Sequence, residues 1–101
     1  MAFSFLWSWW RGRPIAGHQH LHFIVYTRRG CHLCEDAWRC LERAQRRYRF
    51  TLTAVDIDHD PELAARYGEH VPVVTVNGKV RFRGAVNEVL LQRLLRAEAN
   101  A

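Results

Sequence analysis

Cysteine is scarce in this chain and its count is odd: three residues in 101, where a secreted disulfide framework of this length uses four, six or eight. A stapled extracellular scaffold is therefore excluded as the basis of the fold, and a reducing, cytoplasmic setting is expected. Proline and glycine are also few, three and six, which excludes collagenous and Pro/Gly-rich low-complexity sequence. No apolar run approaches the roughly twenty residues that a membrane-spanning helix needs. Acidic residues are outnumbered, ten against fifteen lysines and arginines, for a formal charge of +5. That balance favours anionic partners without naming one. Much of the excess lies in Arg39, Arg43, Arg46, Arg47 and Arg49, which read as the solvated face of a helix rather than as a nucleic-acid patch.

What is present is the composition of one folded domain, 49% hydrophobic and 25% charged, in a chain long enough to bury a core without staples. The first stretch, AFSFLWSWWRGRP, is apolar from Ala2 to Trp10 but has no basic segment before it and no small-residue cleavage site after it, so it does not read as a secretory signal. Trp7, Trp9 and Trp10 followed by Arg11 and Arg13 suit either a tail that packs loosely on the domain or is disordered, or one that rests at a membrane surface. Pro14 and Gly17 then break the chain. The division expected is an extension over residues 1–19 and a domain over residues 20–101.

Within the domain, HFIVYT at His22–Thr27 reads as a strand buried on both faces, because it is nearly continuous in apolar residues. From His32 the period changes. Leu33, Ala37, Cys40, Leu41, Ala44 and Tyr48 recur at three and four, the apolar stripe of a helix. Phe50 to Asp58 reads as a second strand, and Asp60-Pro61-Glu62 as the cap and first turn of a short helix to Tyr67, ended by Gly68. Asn77-Gly78 between two β-rich runs predicts a hairpin. Its register is expected to set Val73 and Thr75 with Val80 and Phe82, and Val74 and Val76 with Lys79, Arg81 and Arg83, making the last strand a sheet edge. A closing helix carries Val86, Val89, Leu90, Leu94 and Ala97 as its stripe. The order β-α-β-α-β-β-α requires a parallel crossover and then a hairpin, hence an α/β fold with a mixed four-stranded sheet covered by helices.

The chemistry sits in RRGCHLCED, Arg28 to Asp36. A Cys-x-x-Cys between a strand and a helix places the first sulfur at the helix N-terminus, where free N–H groups and the macrodipole favour a thiolate. Cys31 is thus the expected nucleophile and Cys34, about one turn on, the thiol that closes the disulfide. Arg28, Arg29 and a protonated His32 favour negative sulfur, whereas Glu35 and Asp36 oppose it. Trp38 either shields the pair or packs. Cys40 belongs to the apolar stripe and reads as a core residue. Zinc binding is a separate reading of the same spacing, but it needs four ligands and a second cysteine pair is absent; His18, His20 and His22 are the other candidates. In a third reading the domain is a non-enzymatic module that docks through its basic helix or its tryptophan-rich start.

Taken together, Tyr26-Thr27 three residues before CHLC, the Val71-Pro72 step before a strand, and the hairpin resemble the glutaredoxin branch of the thioredoxin superfamily, over about His20 to Ala99. The likeness is to small bacterial glutaredoxin-like proteins with a Tyr-Thr-x-x-x-Cys-x-x-Cys start. It implies a thioredoxin-like fold and thiol-disulfide exchange on protein or glutathione mixed disulfides, with no bound cofactor and with glutathione or a protein reductase as electron donor. It also implies a cis Pro72 beside the sulfurs, a Val71 backbone that pairs with the bound thiol peptide, and Arg28 near a glutathione carboxylate. Gly84 and Ala85 fall where the family opens its last helix toward the ligand. Two departures stand out: His32-Leu33 replaces Pro-Tyr between the cysteines, and Gly84-Ala85-Val86-Asn87-Glu88 replaces Gly-Gly-x-x-Asp.

Overall fold

A computed structural model describes residues 20–99; the expectations for the tryptophan-rich start lie outside them. Four strands and three helices follow the predicted order: β1 (His22–Thr27), α1 (His32–Tyr48), β2 (Thr51–Asp56), a 3₁₀ turn (Ile57–His59), α2 (Pro61–Tyr67), β3 (Val73–Val76), β4 (Lys79–Arg83) and α3 (Glu88–Ala99). The sheet order is β2-β1-β3-β4, with β1 and β2 parallel and the other pairs antiparallel. A parallel neighbour cannot be reached by a tight turn, so α1 serves as the crossover. The hairpin has Asn77 and Gly78 at positive φ, as its two-residue turn demands. Asn77 also ties it to β1, its Oδ1 accepting from His22 N–H at 2.8 Å.

The main core lies between one sheet face and helices α1 and α3. Phe23 and Val25 of β1, Val74 and Val76 of β3, and Phe82 of β4 meet Leu41 and Ala44 of α1 and Leu91, Leu94 and Leu95 of α3. Phe23 stacks on Phe50 with ring centroids 4.1 Å apart, worth about 1 kcal/mol beyond the area it buries. A smaller cluster covers the opposite face at one end, where Ile57, Tyr67 and Val73 pack with Tyr26, Leu63, Val71 and Val80.

Four sequence expectations change. β1 is central but fully buried on one face only: Phe23 and Val25 are buried, Ile24 and Tyr26 half-buried, because α2 and the 3₁₀ turn are short and cover part of the second face. The second strand stops at Asp56, whose side chain accepts from Asp58 N–H at 2.9 Å and curls the chain into the 3₁₀ turn. The hairpin carries a β-bulge: Thr75 faces Val80 and Val76 faces Lys79, but Phe82 lies opposite Val74 and Arg83 opposite Val73. Arg81 is the extra residue, so Val80 and Phe82 serve different cores although they are two apart. Finally, α3 buries Leu91, Leu94 and Leu95 while Val89 and Leu90 are 62% and 50% exposed.

Register places the chemistry. Thr27 is paired with Asp56, Tyr26 with Val73 and Val73 with Arg83. The segments after β1, after β2, before β3 and after β4 therefore all emerge from one end of the sheet, the end to which CHLC belongs.

Candidate redox site

Gly30, at φ +76°, turns the chain out of β1 in a conformation that L side chains resist, and Cys31 follows as the N-cap of α1 in extended backbone. Its Sγ accepts the Cys34 backbone N–H at 3.1 Å, and its carbonyl accepts from Glu35 N–H at 3.1 Å. Cys31 thus holds the place that Ser or Asp takes at an ordinary helix start. A sulfur in that position receives a donor and the positive end of the helix dipole, both of which favour negative charge on it. Cys31 and Cys34 are joined as a disulfide with Cα atoms 5.2 Å apart. Cys31 is half-buried and Cys34 buried at 3% exposure, so only the first sulfur is open to an incoming group. Cys40 is a separate, buried thiol.

Charges around the pair are mostly engaged. Glu35 and Asp36 lie 4.0 and 3.7 Å from the guanidinium of Arg39. His32 is 96% exposed, with Nδ1 4.0 Å from Glu35. Arg28 is the most constrained: Nε and Nη2 bond both carboxylate oxygens of Asp58 at 3.0–3.2 Å, and Nη1 donates to the Gly68 carbonyl at 3.1 Å. One side chain thereby ties the turn before Cys31 to the segments after β2 and after α2.

At the same end of the sheet, in the segment leading into β3, Val71-Pro72 is a cis peptide bond. Gly84 N–H reaches the carbonyls of both His70 and Pro72, at 3.2 and 2.8 Å, which fixes this segment against the end of β4. Gly84 has φ +80°. Helix α3 starts beyond Gly84 and Ala85: Asn87 is its cap, with Oδ1 accepting from Leu90 N–H at 3.0 Å and its carbonyl from Leu91 N–H at 2.9 Å. Beside Cys34 a groove of 370 Å³ opens between α1 and β2, lined by Val25, Trp38 and Ala54. Trp38 is half-buried, packing on the main core as well as walling this groove. Among the described residues no group of three or more His, Cys, Asp or Glu side chains converges on a point where a metal would sit.

Residues 22–96 match the family described as Glutaredoxin-like domain (DUF836). The chain belongs to that family. Two solved structures are similar to this glutaredoxin-like domain at comparable levels. The crystal structure of the structural-genomics target protein XcR50 from X. campestris shares 29% identity over 74% of this chain and 96% of its own, with a TM-score of 0.62. The solution structure of protein Ne2328 from Nitrosomonas europaea shares 28% over 73% of this chain and 89% of its own, with a TM-score of 0.65. The oxidised thioredoxin of Plasmodium falciparum, 20% identical over 85% of this chain and 86% of its own, has a TM-score of 0.56 and supports the thioredoxin-like fold alone. No curated protein matches the chain.

Sequence reasoning on this glutaredoxin-like domain pointed to Cys31 and Cys34, which the structure joins as a disulfide. It missed Asp58, Gly68 and Asn87. Asp58 had a usable signal: once β1 and β2 are taken as parallel, residues shortly after each strand end side by side, and an arginine and an aspartate stand at those places. Asn87-Glu88 is an ordinary cap and first-turn acid, overshadowed by the glycine four residues before Glu88.

Proposed function

We propose that this domain is a thiol-disulfide oxidoreductase that cycles the Cys31–Cys34 pair. The observation that carries the reading is the asymmetry of the pair at the start of α1, an N-capping, half-open Cys31 joined to a buried Cys34. In the reduced protein the Cys31 thiolate attacks one sulfur of a substrate disulfide; a Cys31–substrate bond forms, and the first substrate thiolate leaves and takes a proton from solvent. The Cys34 thiolate then attacks Cys31 Sγ, expels the second substrate thiolate and leaves the Cys31–Cys34 disulfide. The substrate gains two electrons and two protons, and the protein loses them. A thiol reductant, glutathione or a protein dithiol, resets the pair. The Val71-Pro72 segment is the docking edge for the substrate backbone, as the family resemblance implies. Such a cycle suits a reducing compartment such as the cytoplasm.

Two variants test the mechanism. Cys31→Ser brings disulfide reduction down to the uncatalysed rate. Cys34→Ser stalls after one turnover with substrate bonded to Cys31, visible as a mass adduct under non-reducing conditions. Continued turnover of a protein disulfide by Cys34→Ser at the normal rate would falsify the dithiol cycle.

A further inference from the structure

A small thiol such as glutathione carries two carboxylates on a short chain, so holding it beside Cys31 requires fixed donors close to that sulfur. Four candidates stand at this end of the sheet: the guanidinium of Arg28, the side chains of Arg29 and His32, and the N-terminus of α3. Arg28 is already paired: Nε and Nη2 bond the Asp58 carboxylate and Nη1 donates to the Gly68 carbonyl, all at 3.0–3.2 Å, so its charge is neutralised although two of its five N–H groups are not used in these bonds. An added carboxylate there meets a neutralised pair and the spare negative charge density of Asp58. The N-terminus of α3 is partly occupied as well. The Asn87 side chain takes the Leu90 N–H, and Glu88, exposed and 3.8 Å from Arg43, adds a negative charge to the first turn that disfavours a second anion there. Arg29 and His32 remain, both exposed; they are free to swing in water and are screened by it, so they draw anions nearer without fixing one.

The uncharged surface points the other way. Leu33, between the cysteines in the first turn of α1, is 53% exposed, an apolar side chain open to solvent at the end of the sheet that carries the pair. Val71 is half-buried on the second cluster beside Tyr26, Tyr67 and Val80. Its neighbours His70 and Pro72 have their carbonyls engaged by Gly84, which holds the segment still for an incoming chain. Apolar contact and a rigid backbone edge suit an extended polypeptide better than a short tripeptide held by two carboxylates.

Resting on the oxidoreductase reading above, we infer that the Cys31–Cys34 pair serves disulfides between polypeptide segments that bear an apolar residue next to the cysteine, and discriminates against glutathione-capped thiols, because Asp58 neutralises Arg28 and Asn87 and Glu88 put a cap and a negative charge at the start of α3. Arg28 is then a positioning residue that holds the Cys31 turn against the loop leading to Val71-Pro72, and the two-electron reductant that resets the pair is a dithiol.

The test uses full-length protein, pre-reduced and freed of reductant, in single turnover against two substrates of one peptide sequence with leucine beside its cysteine. One is the peptide disulfide; the other is the peptide capped with glutathione. The expected result is at least a tenfold faster reaction with the peptide disulfide. Asp58→Asn, which releases Arg28, is expected to narrow that ratio at least threefold by speeding the glutathione-capped reaction. Arg28→Gln should slow the peptide disulfide by raising the half-saturating concentration while the saturated rate holds. Equal or faster reaction of the glutathione-capped peptide overturns the inference and leaves the oxidoreductase reading standing. So does an unchanged ratio in Asp58→Asn. Inert wild-type protein on both substrates overturns the oxidoreductase reading itself, and this inference with it.

Discussion

Cys40 and Cys34 are both buried on α1, six residues apart, yet only one belongs to the redox pair. Burial pushes the Cys40 thiol above its ordinary range, with Glu88 adding to the rise and Arg43 opposing it. A thiol held neutral in this way is a poor nucleophile and packs as a small apolar group. Alkylation of the native oxidised protein with iodoacetamide is therefore expected to leave Cys40 unmodified until the chain is unfolded, with peptide mapping as the readout. The pH dependence has a definite sign. The folded-state value lies above the unfolded one, so the contribution of Cys40 to stability is fully present below the unfolded value and is lost as pH rises through the folded value. Cys40→Ala should flatten that alkaline loss in denaturant titrations. The core role of Cys40 was legible from its place in the helical stripe. The Gly68 end of the Arg28–Asp58–Gly68 contact was not, because Gly68 lies 40 positions from Arg28 and a backbone carbonyl carries no side-chain signal.

Among elements, α3 shows where periodicity misleads. Val89, Leu90, Leu91, Leu94 and Leu95 offer more apolar positions than one face needs, and two overlapping stripes fit them equally well. Contact with β1, β3 and α1 selects 91, 94 and 95, aided by the Tyr48 hydroxyl, 3.1 Å from Gln92 Oε1. Leu91→Ala should cost about 2–4 kcal/mol, as expected for a buried leucine. Leu90→Ala, at a half-exposed position, should change stability by no more than about 0.5 kcal/mol. Comparison of urea midpoints at constant slope decides between the two stripes. The hairpin repeats the lesson at a different period. Its turn was readable from Asn77-Gly78 because few dipeptides tolerate positive φ twice. The bulge at Arg81 was not, since strict alternation from Val80 to Arg83 gives no sign that one residue will be left over.

At the scale of the whole molecule, β2 and β4 are the edge strands of the sheet among the described residues. On β4 the exposed residues are Lys79, Arg81 and Arg83, charges that discourage pairing with a second copy of the edge. Replacing Arg81 and Arg83 together with Thr should raise light scattering during refolding while leaving the disulfide reactions of the folded protein intact. On α1 the arginines that the spacing put on one face, Arg39, Arg43, Arg46 and Arg47, are exposed, and the first two have acidic neighbours. Among the described residues no helix is long and apolar enough to cross a membrane.

The amino-acid sequence by itself determined the order of elements, the mixed sheet, the hairpin turn, the burial of Cys40 and the placing of Cys31 at a helix start. Each of these is encoded in a few consecutive residues through periodicity, caps and turn chemistry. Tertiary structure alone decided which stripe of α3 is buried, how the bulge divides Val80 from Phe82, and which charges near the sulfurs are free. Those outcomes depend on pairs of distant residues whose contact exists only once the sheet has brought four loops to one end. Arg28 illustrates the difference: as a letter beside CHLC it reads as a cation waiting for an anion, and in the fold Asp58 is already there.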